Sequence, residues 1–172
     1  KKYLNEKIDI VINLSGQQTE NERNMADVIS IGNKNIIELS SKIKKNIKLI
    51  YISTSLVYGN SNKILKENSK IKPVNKYEQN KYDVEKLYMK SKNDHIILRI
   101  CNLYGRDKNK GVISLIIKSI LKKKTFYFDN INTTKNFIFI GDVVCIINKL
   151  IYKNIKNKVF NVGNENIKFT SL

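Results

Sequence analysis

Apolar runs that predict strands alternate along this chain with segments that predict helices. The strand-like runs, rich in isoleucine, valine and aromatic residues, are Ile8–Leu14, Ile47–Ser53, His95–Cys101, Asn136–Ile140 and Lys158–Val162. The segments between them carry apolar residues at helical spacing and are Asn24–Lys45, Asn75–Lys92, Val112–Lys123 and Gly141–Lys153.

This alternation indicates an α/β fold. The early strands are continuous in apolar residues, which favours a doubly wound parallel sheet covered on both faces. Such sheets bind their ligands beyond the carboxyl ends of the strands. Asn75, with Glu78 three residues later, predicts a capped start for the second helix.

Composition restricts the classes of function. A chain of 172 residues with 41% hydrophobic content is long enough for one domain with a buried core. The net charge of +17 suggests nucleic acid as a partner, but only three of the 32 basic residues are arginines. Bidentate phosphate contacts and stacking aromatic residues are therefore scarce in the basic stretches, and we expect no nucleic-acid binding.

The cysteines and the apolar runs exclude further classes. Cys101 and Cys145 lie in apolar runs without metal-ligand spacing, and they predict reduced, buried thiols and no metal site. No apolar run reaches the ~18 residues that would span a membrane, and the first residues do not resemble a signal peptide. We therefore expect a cytoplasmic protein without membrane partners.

Three motifs carry candidate chemistry. Ser53–Gly59 begins at the end of a strand, where a parallel sheet presents hydroxyl groups to a ligand. Tyr77 and Lys81 are spaced to share one face of a helix, where the ammonium would lower the pKa of the phenol from about 10. The run Asp9–Gln18 ends its strand in small residues that let a ligand approach the backbone.

The Tyr-x-x-x-Lys spacing is not specific in a lysine-rich chain. It occurs at six of the nine tyrosines, namely Tyr3, Tyr77, Tyr82, Tyr88, Tyr104 and Tyr152. Context selects Tyr77, because it alone lies at a predicted helix start after the hydroxyl-bearing strand, with Pro73 before it and Glu85 beyond Lys81.

The order of these motifs resembles the extended short-chain dehydrogenases/reductases, the NAD-dependent epimerase/dehydratase family. That family carries Ser-(Ser/Thr)-x-x-Val-Tyr-Gly and then Pro-x-x-x-Tyr-x-x-x-Lys-x-x-x-Glu, which Ser53–Gly59 and Pro73–Glu85 match in register. Leu98–Gly105, Lys135–Asp142 and Phe160–Gly163 are similar to its later motifs. The resemblance runs from Asp9 onward.

The resemblance implies a nucleotide sugar as substrate and NAD or NADP as cofactor. Thr54, Tyr77 and Lys81 would be catalytic, with Thr54 on the reacting sugar oxygen, Tyr77 as the general base and Lys81 on the nicotinamide ribose. The residues implied to border the cofactor are Leu14, Ser15, Gly16 and Ser53, together with Tyr77 and Lys81. The residues implied to contact the substrate are Thr54, Ser55, Asn102 and Lys135.

The resemblance also implies a partial fold. The family's first strand, glycine-rich turn and helix have no counterpart here, so we expect a Rossmann-like sheet lacking its first βαβ unit, in a fragment of a longer protein. Residues 1–103 would form the partial dinucleotide-binding domain. Residues 104–172 would form a substrate-binding region interleaved with the last Rossmann elements, and a homodimer is expected.

Departures from the family pattern limit which of the family's reactions we expect. Ser55 and Leu56 replace the acidic pair of the 4,6-dehydratases, which favours an epimerase or a reductase. Lys135 replaces an arginine, so the positive charge is kept but the two parallel hydrogen bonds that a guanidinium can donate are lost. Ile29 replaces a frequent asparagine, which predicts a weaker polar link behind the site. A catalytically idle cofactor- or ligand-binding relative is the alternative.

Overall fold

The computed structural model describes residues 8–16, 22–43, 46–61, 63–105, 111–127, 130 and 132–169, with only the backbone of 22–28. The strands are β1 (Ile10–Asn13), β2 (Lys48–Thr54), β3 (His95–Ile100), β4 (Asn102–Tyr104), β5 (Thr134–Phe139), β6 (Lys158–Val162) and β7 (Asn166–Lys168). The α-helices are α1 (Glu22–Lys42), α2 (Lys76–Lys90), α3 (Val112–Leu121) and α4 (Ile140–Tyr152), and a short 3-10 helix spans Ser55–Tyr58. The predicted end of the first helix, 44–45, lies outside the described residues.

The described residues group into two units. One lies within Lys1–Arg99 and Asn154–Asn161, and the other within Ile100–Lys153 and Val162–Leu172. The first unit carries a four-stranded sheet in the order β1-β2-β3-β6. The sheet is parallel, which confirms the predicted α/β class. All six residues of β3 are buried, as expected for a strand covered on both faces.

The core of the first unit forms between this sheet and the helices α1 and α2. Its buried side chains are Ile29, Ile47, Leu49, Tyr51, Val84, Tyr88 and Ile97. The rings of Tyr51 and Tyr88 stack with their centroids 4.9 Å apart. Aromatic pairs of this kind contribute about 0.5–1.5 kcal/mol beyond the area that they bury, so they help to hold α2 against β2.

The start of α2 is the capped start that the sequence predicts. The side chain of Asn75 accepts a hydrogen bond from the backbone N of Glu78 at 2.9 Å, and its amide donates to the Glu78 carboxylate at 2.8 Å. The other carboxylate oxygen accepts from the backbone N of Val74 at 2.7 Å. This reciprocal capping places Tyr77 in the first turn of the helix.

The second unit carries a separate three-stranded sheet in the order β4-β5-β7. The strand predicted at Asn136–Ile140 is β5, which belongs to this sheet and not to the parallel one. β5 pairs parallel with β4 and antiparallel with β7. The physical reason is its pattern: only Phe137 and Ile138 are buried, whereas a central strand of the parallel sheet such as β3 is buried along its whole length. β4 and β7, three residues each, are too short to produce a periodic signal.

Both cysteines are free thiols. Cys101 is half-buried, but Cys145 is exposed, so the expectation of two buried thiols is wrong for Cys145. The reason is the helical period of α4, which buries Val143 and Leu150 and leaves position 145 outside. Within the described part of the chain, no helix is long and apolar enough to cross a membrane.

Candidate active site

The carboxyl ends of the first two strands lie side by side in the sheet. β1 and β2 are parallel, and their register pairs Asn13 with Tyr51. The next residues, Leu14–Gly16 after β1 and Ile52–Thr54 in β2, therefore share one edge of the sheet. This is the edge at which doubly wound sheets bind ligands.

Lys81 of α2 reaches this edge with its ammonium group. Its Nζ donates to the backbone oxygen of Ile52 at 2.6 Å and to that of Ser15 at 3.4 Å. The same nitrogen lies 4.5 Å from the centroid of the Tyr51 ring. A Cβ atom at Gly16 would lie 2.7 Å from Nζ, so the missing side chain leaves room for the ammonium. Three residues predicted for the cofactor site, Ser15, Gly16 and Lys81, are thus brought together.

Burial changes the protonation of Lys81. The residue is only 3% exposed. Removal from water lowers the pKa of its ammonium to about 8, and the nearby charge of Glu85 opposes this shift. The Lys81 side chain therefore begins to lose its charge at mildly alkaline pH.

Tyr77 lies one helical turn before Lys81, with its ring partly buried against the core. Burial raises the pKa of the Tyr77 hydroxyl, and the charge of Glu78 adds to this. The expected lowering of this pKa by Lys81 is therefore wrong for the structure. The ammonium of Lys81 binds backbone carbonyls at the sheet edge, so desolvation of the phenol dominates, and the phenol is protonated at neutral pH.

Thr54 ends β2 and caps the 3-10 helix. Its backbone is extended, and its Oγ1 accepts a hydrogen bond from the backbone N of Leu56 at 3.2 Å. A threonine hydroxyl has a proton to donate in addition to its acceptor sites, so Thr54 retains a donor for a ligand. Ser55 is the first residue of the 3-10 helix and is half-buried.

Gly59 follows the short helix at a position that requires glycine. Its φ is +71°, and a Cβ atom there would clash with the backbone oxygen of Lys72. Close by, the backbone N of Lys72 donates to the oxygen of Val57 at 3.0 Å. This close approach attaches the segment before α2 to the end of the Ser53–Gly59 motif.

A buried ion pair, which the sequence reasoning missed, lies behind the motif. Ser53 Oγ donates to Glu85 Oε1 at 2.5 Å, and Arg99 Nη2 donates to Glu85 Oε2 at 2.7 Å. Arg99 and Glu85 are 3% and 0% exposed. The signal that could have revealed the pair is an arginine inside the apolar strand β3, because a buried charge needs a buried partner. The Ser53 side chain, which the sequence predicts to border the cofactor, thus hydrogen-bonds to this ion pair.

Tyr58 extends the same cluster towards β6. Arg99 Nη1 donates to the Tyr58 hydroxyl at 2.7 Å, and that hydroxyl donates to Asn161 Oδ1 at 2.6 Å. The backbone N of Asn161 donates to the Glu67 carboxylate at 2.8 Å. The cluster therefore links the 3-10 helix, β3 and β6 within the first unit.

The polar link behind the site is present, although Ile29 is an isoleucine buried in the core. Asn33, one helical turn later on α1, supplies it by hydrogen bonding to Asn13 and Ser15. The expectation of a weakened link is therefore wrong, because one turn of helix brings position 33 to the same face as position 29.

The second unit contains a cavity of about 240 Å³. Its lining includes Asn102 and Lys135, which are both predicted substrate residues, together with Phe137 and the start of α3 at Gly111–Ser114. The side-chain amide nitrogen of Asn102 donates to the backbone oxygen of Asn136 at 2.9 Å, which fixes this side chain against β5. A lysine ammonium and the amino end of a helix both favour an anion.

Groups of three or more metal-ligating side chains do not occur among the residues with described positions. The edge that carries Lys81 has features that fit a dinucleotide cofactor. The small residues Ser15 and Gly16 would let a ligand approach the backbone. The same edge carries the buried ammonium of Lys81 and the side chain of Leu14, which is 69% exposed.

Residues 1–163 match the family model described as NAD dependent epimerase/dehydratase family. The chain is 32% identical to a putative UDP-glucose 4-epimerase of Methanocaldococcus jannaschii, over 94% of this chain and 59% of that protein. It is 33% identical to a dTDP-D-glucose 4,6-dehydratase of Dictyostelium discoideum, over 95% of this chain and 43% of that protein.

A solved structure shows the same fold. The UDP-glucuronic acid 4-epimerase of Bacillus cereus in complex with NAD superposes with a TM-score of 0.84 at 26% identity, over 96% of this chain and 57% of that one. The chain thus spans 43% to 59% of the length of these three relatives.

Proposed function

Because the chain belongs to the NAD-dependent epimerase/dehydratase family, we propose that the full-length protein is an NAD-dependent epimerase or 4-keto reductase of nucleotide sugars. The observation that carries the proposal is the buried ammonium of Lys81. It is held on the backbone oxygens of Ile52 and Ser15 at the carboxyl edge of the sheet, one helical turn after Tyr77.

Three side chains would each carry one part of the reaction. Thr54 would donate a hydrogen bond from its hydroxyl to the reacting oxygen of the sugar. Tyr77 would exchange a proton with the same oxygen, and its protonated phenol is already suited to donation. Lys81 would bind the nicotinamide ribose with its ammonium group. When bound, NAD would accept and return a hydride in an epimerase, and NADH would donate one to the 4-keto sugar in a reductase.

The second unit would bind the nucleotide end of the substrate. Its cavity combines Lys135, Asn102 and the amino end of α3, and these groups favour a diphosphate. Lys135 would act as a point charge, because an ammonium lacks the bidentate fork of arginine. Elimination of water is disfavoured, since neither Ser55 nor Leu56 carries a carboxyl group that could serve as the acid.

The test is turnover of the full-length protein with NAD and a panel of nucleotide sugars, and with NADH and 4-keto nucleotide sugars, with products followed by NMR. Tyr77→Phe should lower kcat by about 10²–10⁴-fold, the usual contribution of a general acid or base, and leave the Kd for NAD nearly unchanged. Tyr82→Phe is the matched control, because Tyr82 has the same spacing to a lysine on the same helix.

Each outcome separates the proposal from an alternative. Unchanged turnover in Tyr77→Phe would contradict the assignment of this residue. Binding of NAD and nucleotide sugar by the wild type without any turnover would favour the catalytically idle relative.

A further inference from the structure

Asn33 is a fully buried amide that hydrogen-bonds to two residues at the sheet edge of the candidate active site, Asn13 and Ser15. It is 0% exposed. Its Oδ1 accepts from Asn13 Nδ2 at 2.6 Å. Its Nδ2 donates to Ser15 Oγ at 3.2 Å and to the backbone oxygen of Ile29 at 2.5 Å.

Asn13, at the end of β1, completes the arrangement. Its Nδ2 donates both to Asn33 and to the Tyr88 hydroxyl, the latter at 2.9 Å. Its Oδ1 accepts from the backbone N of Ser15 at 2.8 Å. Both protons of each amide are therefore paired. A fully paired buried network favours one arrangement, since any other would leave a polar atom unsatisfied without water.

The network converges on Ser15. Its backbone N binds Asn13, its hydroxyl binds Asn33, and its backbone oxygen accepts from Lys81. Three different atoms of one residue are thus held by three different elements. Ser15 is followed by Gly16, at which a Cβ atom would meet the Lys81 ammonium.

We propose that Asn33, acting through Asn13, is a positioning residue that holds the Ser15–Gly16 segment in place for the Lys81 ammonium. Its effect on cofactor binding rests on the proposed function. The positioning itself is a property of the protein without cofactor.

Hydrogen exchange of the full-length, cofactor-free protein tests the positioning. In Asn33→Ala, the peptide covering residues 14–16 should exchange about tenfold faster, because the bond from Ser15 N to Asn13 loses its support. Peptides within β2 should be unchanged. Asn93→Ala is the matched control, since Asn93 is also a buried asparagine, 6% exposed, and bonds α1 through Ser41.

Equal exchange in Asn33→Ala and wild type, or equal acceleration by Asn93→Ala, would overturn the proposal. If Asn33→Ala does not fold, Ser15→Ala replaces it, because this change removes only the hydroxyl at the surface end of the network. It should accelerate exchange of the same peptide.

The Kd for NAD in a double-mutant cycle tests the functional consequence. Asn33→Ala and Ser15→Ala should each raise the Kd several-fold, and the double variant should be no weaker than Asn33→Ala alone, because the two residues share one bond. If Asn33→Ala lowers the unfolding free energy but leaves the Kd for NAD unchanged, Asn33 has a structural role only. If the wild type binds no NAD, the proposed function fails, while hydrogen exchange still decides the positioning.

Discussion

Lys81 shows how a single buried charge can connect stability with chemistry. Its ammonium is out of water but lies against two carbonyl oxygens and an aromatic ring. Burial lowers the pKa of this ammonium to about 8, so it is still mostly charged at neutral pH. A group of this kind responds to pH in a range where ordinary lysines do not.

The first prediction concerns stability and pH. The folded pKa of Lys81 is about 8 and its ordinary value is 10.5. Between these values the unfolded chain binds more protons, so stability due to Lys81 rises with pH. Relative to Lys81→Met, the unfolding free energy of the wild type should increase by about 3 kcal/mol from pH 8 to pH 10.5 and stay level below pH 8. Urea titrations of both proteins across this range measure it, and a constant difference would contradict it.

The second prediction concerns Gly16. Its substitution by alanine places a Cβ against the far end of a flexible side chain, so the fold can adapt by moving the Lys81 ammonium. Gly16→Ala should therefore leave the unfolding free energy within about 1 kcal/mol of wild type and raise the Kd for NAD about tenfold. Calorimetric unfolding and NAD titration measure the two effects.

Gly32→Ala is the control for that change. Gly32 lies inside α1, and a Cβ atom at this position would have no described atom within 4 Å apart from its chain neighbours and its own helix backbone, so alanine fits there. It should stabilise the protein by about 0.5–1 kcal/mol and leave NAD binding unchanged. A loss of NAD affinity in both variants would show that the Gly16 effect is not local.

At the scale of elements, α2 is the helix on which the proposed chemistry depends. Its start is fixed by Asn75 and Glu78, and its middle is fastened to β2 and β3 by Glu85. Tyr77 and Lys81 lie between these two attachments. The helix is therefore fixed on both sides of these two residues.

The third prediction concerns the ion pair of Glu85 and Arg99. Removing one partner leaves a buried charge uncompensated, so Glu85→Gln or Arg99→Met should each lower the unfolding free energy by about 3–5 kcal/mol. The double variant should recover part of that loss. Lys86→Ala is the control, because the exposed pair of Lys86 and Asp83 on the same helix should contribute less than about 1 kcal/mol.

Denaturant unfolding of the four variants gives the comparison. Additive losses in the double variant would show that the two residues act independently and would contradict the pairing as the source of the stability. Tyr58 and Ser53 bind the same pair, so their contributions should be coupled to it.

At the scale of the whole molecule, the net charge bears on whether the protein binds nucleic acid. The fourth prediction is that the net charge of +17 does not produce specific nucleic-acid binding. Fluorescence anisotropy with duplex DNA should show weak binding that disappears by about 0.2 M salt, as expected for scattered lysines. Sequence-dependent binding that persists at this salt concentration would support a nucleic-acid function.

The sequence alone determined the strands and helices of the first unit and the order of Thr54, Tyr77 and Lys81 along it. These features depend on short-range patterns: apolar periodicity, the cap at Asn75, and the spacing of two side chains on one helix. The family followed from the same ordered motifs. The roles of these three side chains remain predictions, which the variants above test.

Only the tertiary structure decided which atoms these side chains meet. Asn13 binds Tyr88 across 75 residues of sequence, and Ser53 binds Glu85 across 32. The direction of the Tyr77 pKa, the place of β5 in a second sheet and the hydrogen bonds of Asn33 depend on packing between elements. Burial and hydrogen-bond partners arise from packing between elements, and no local pattern contains them.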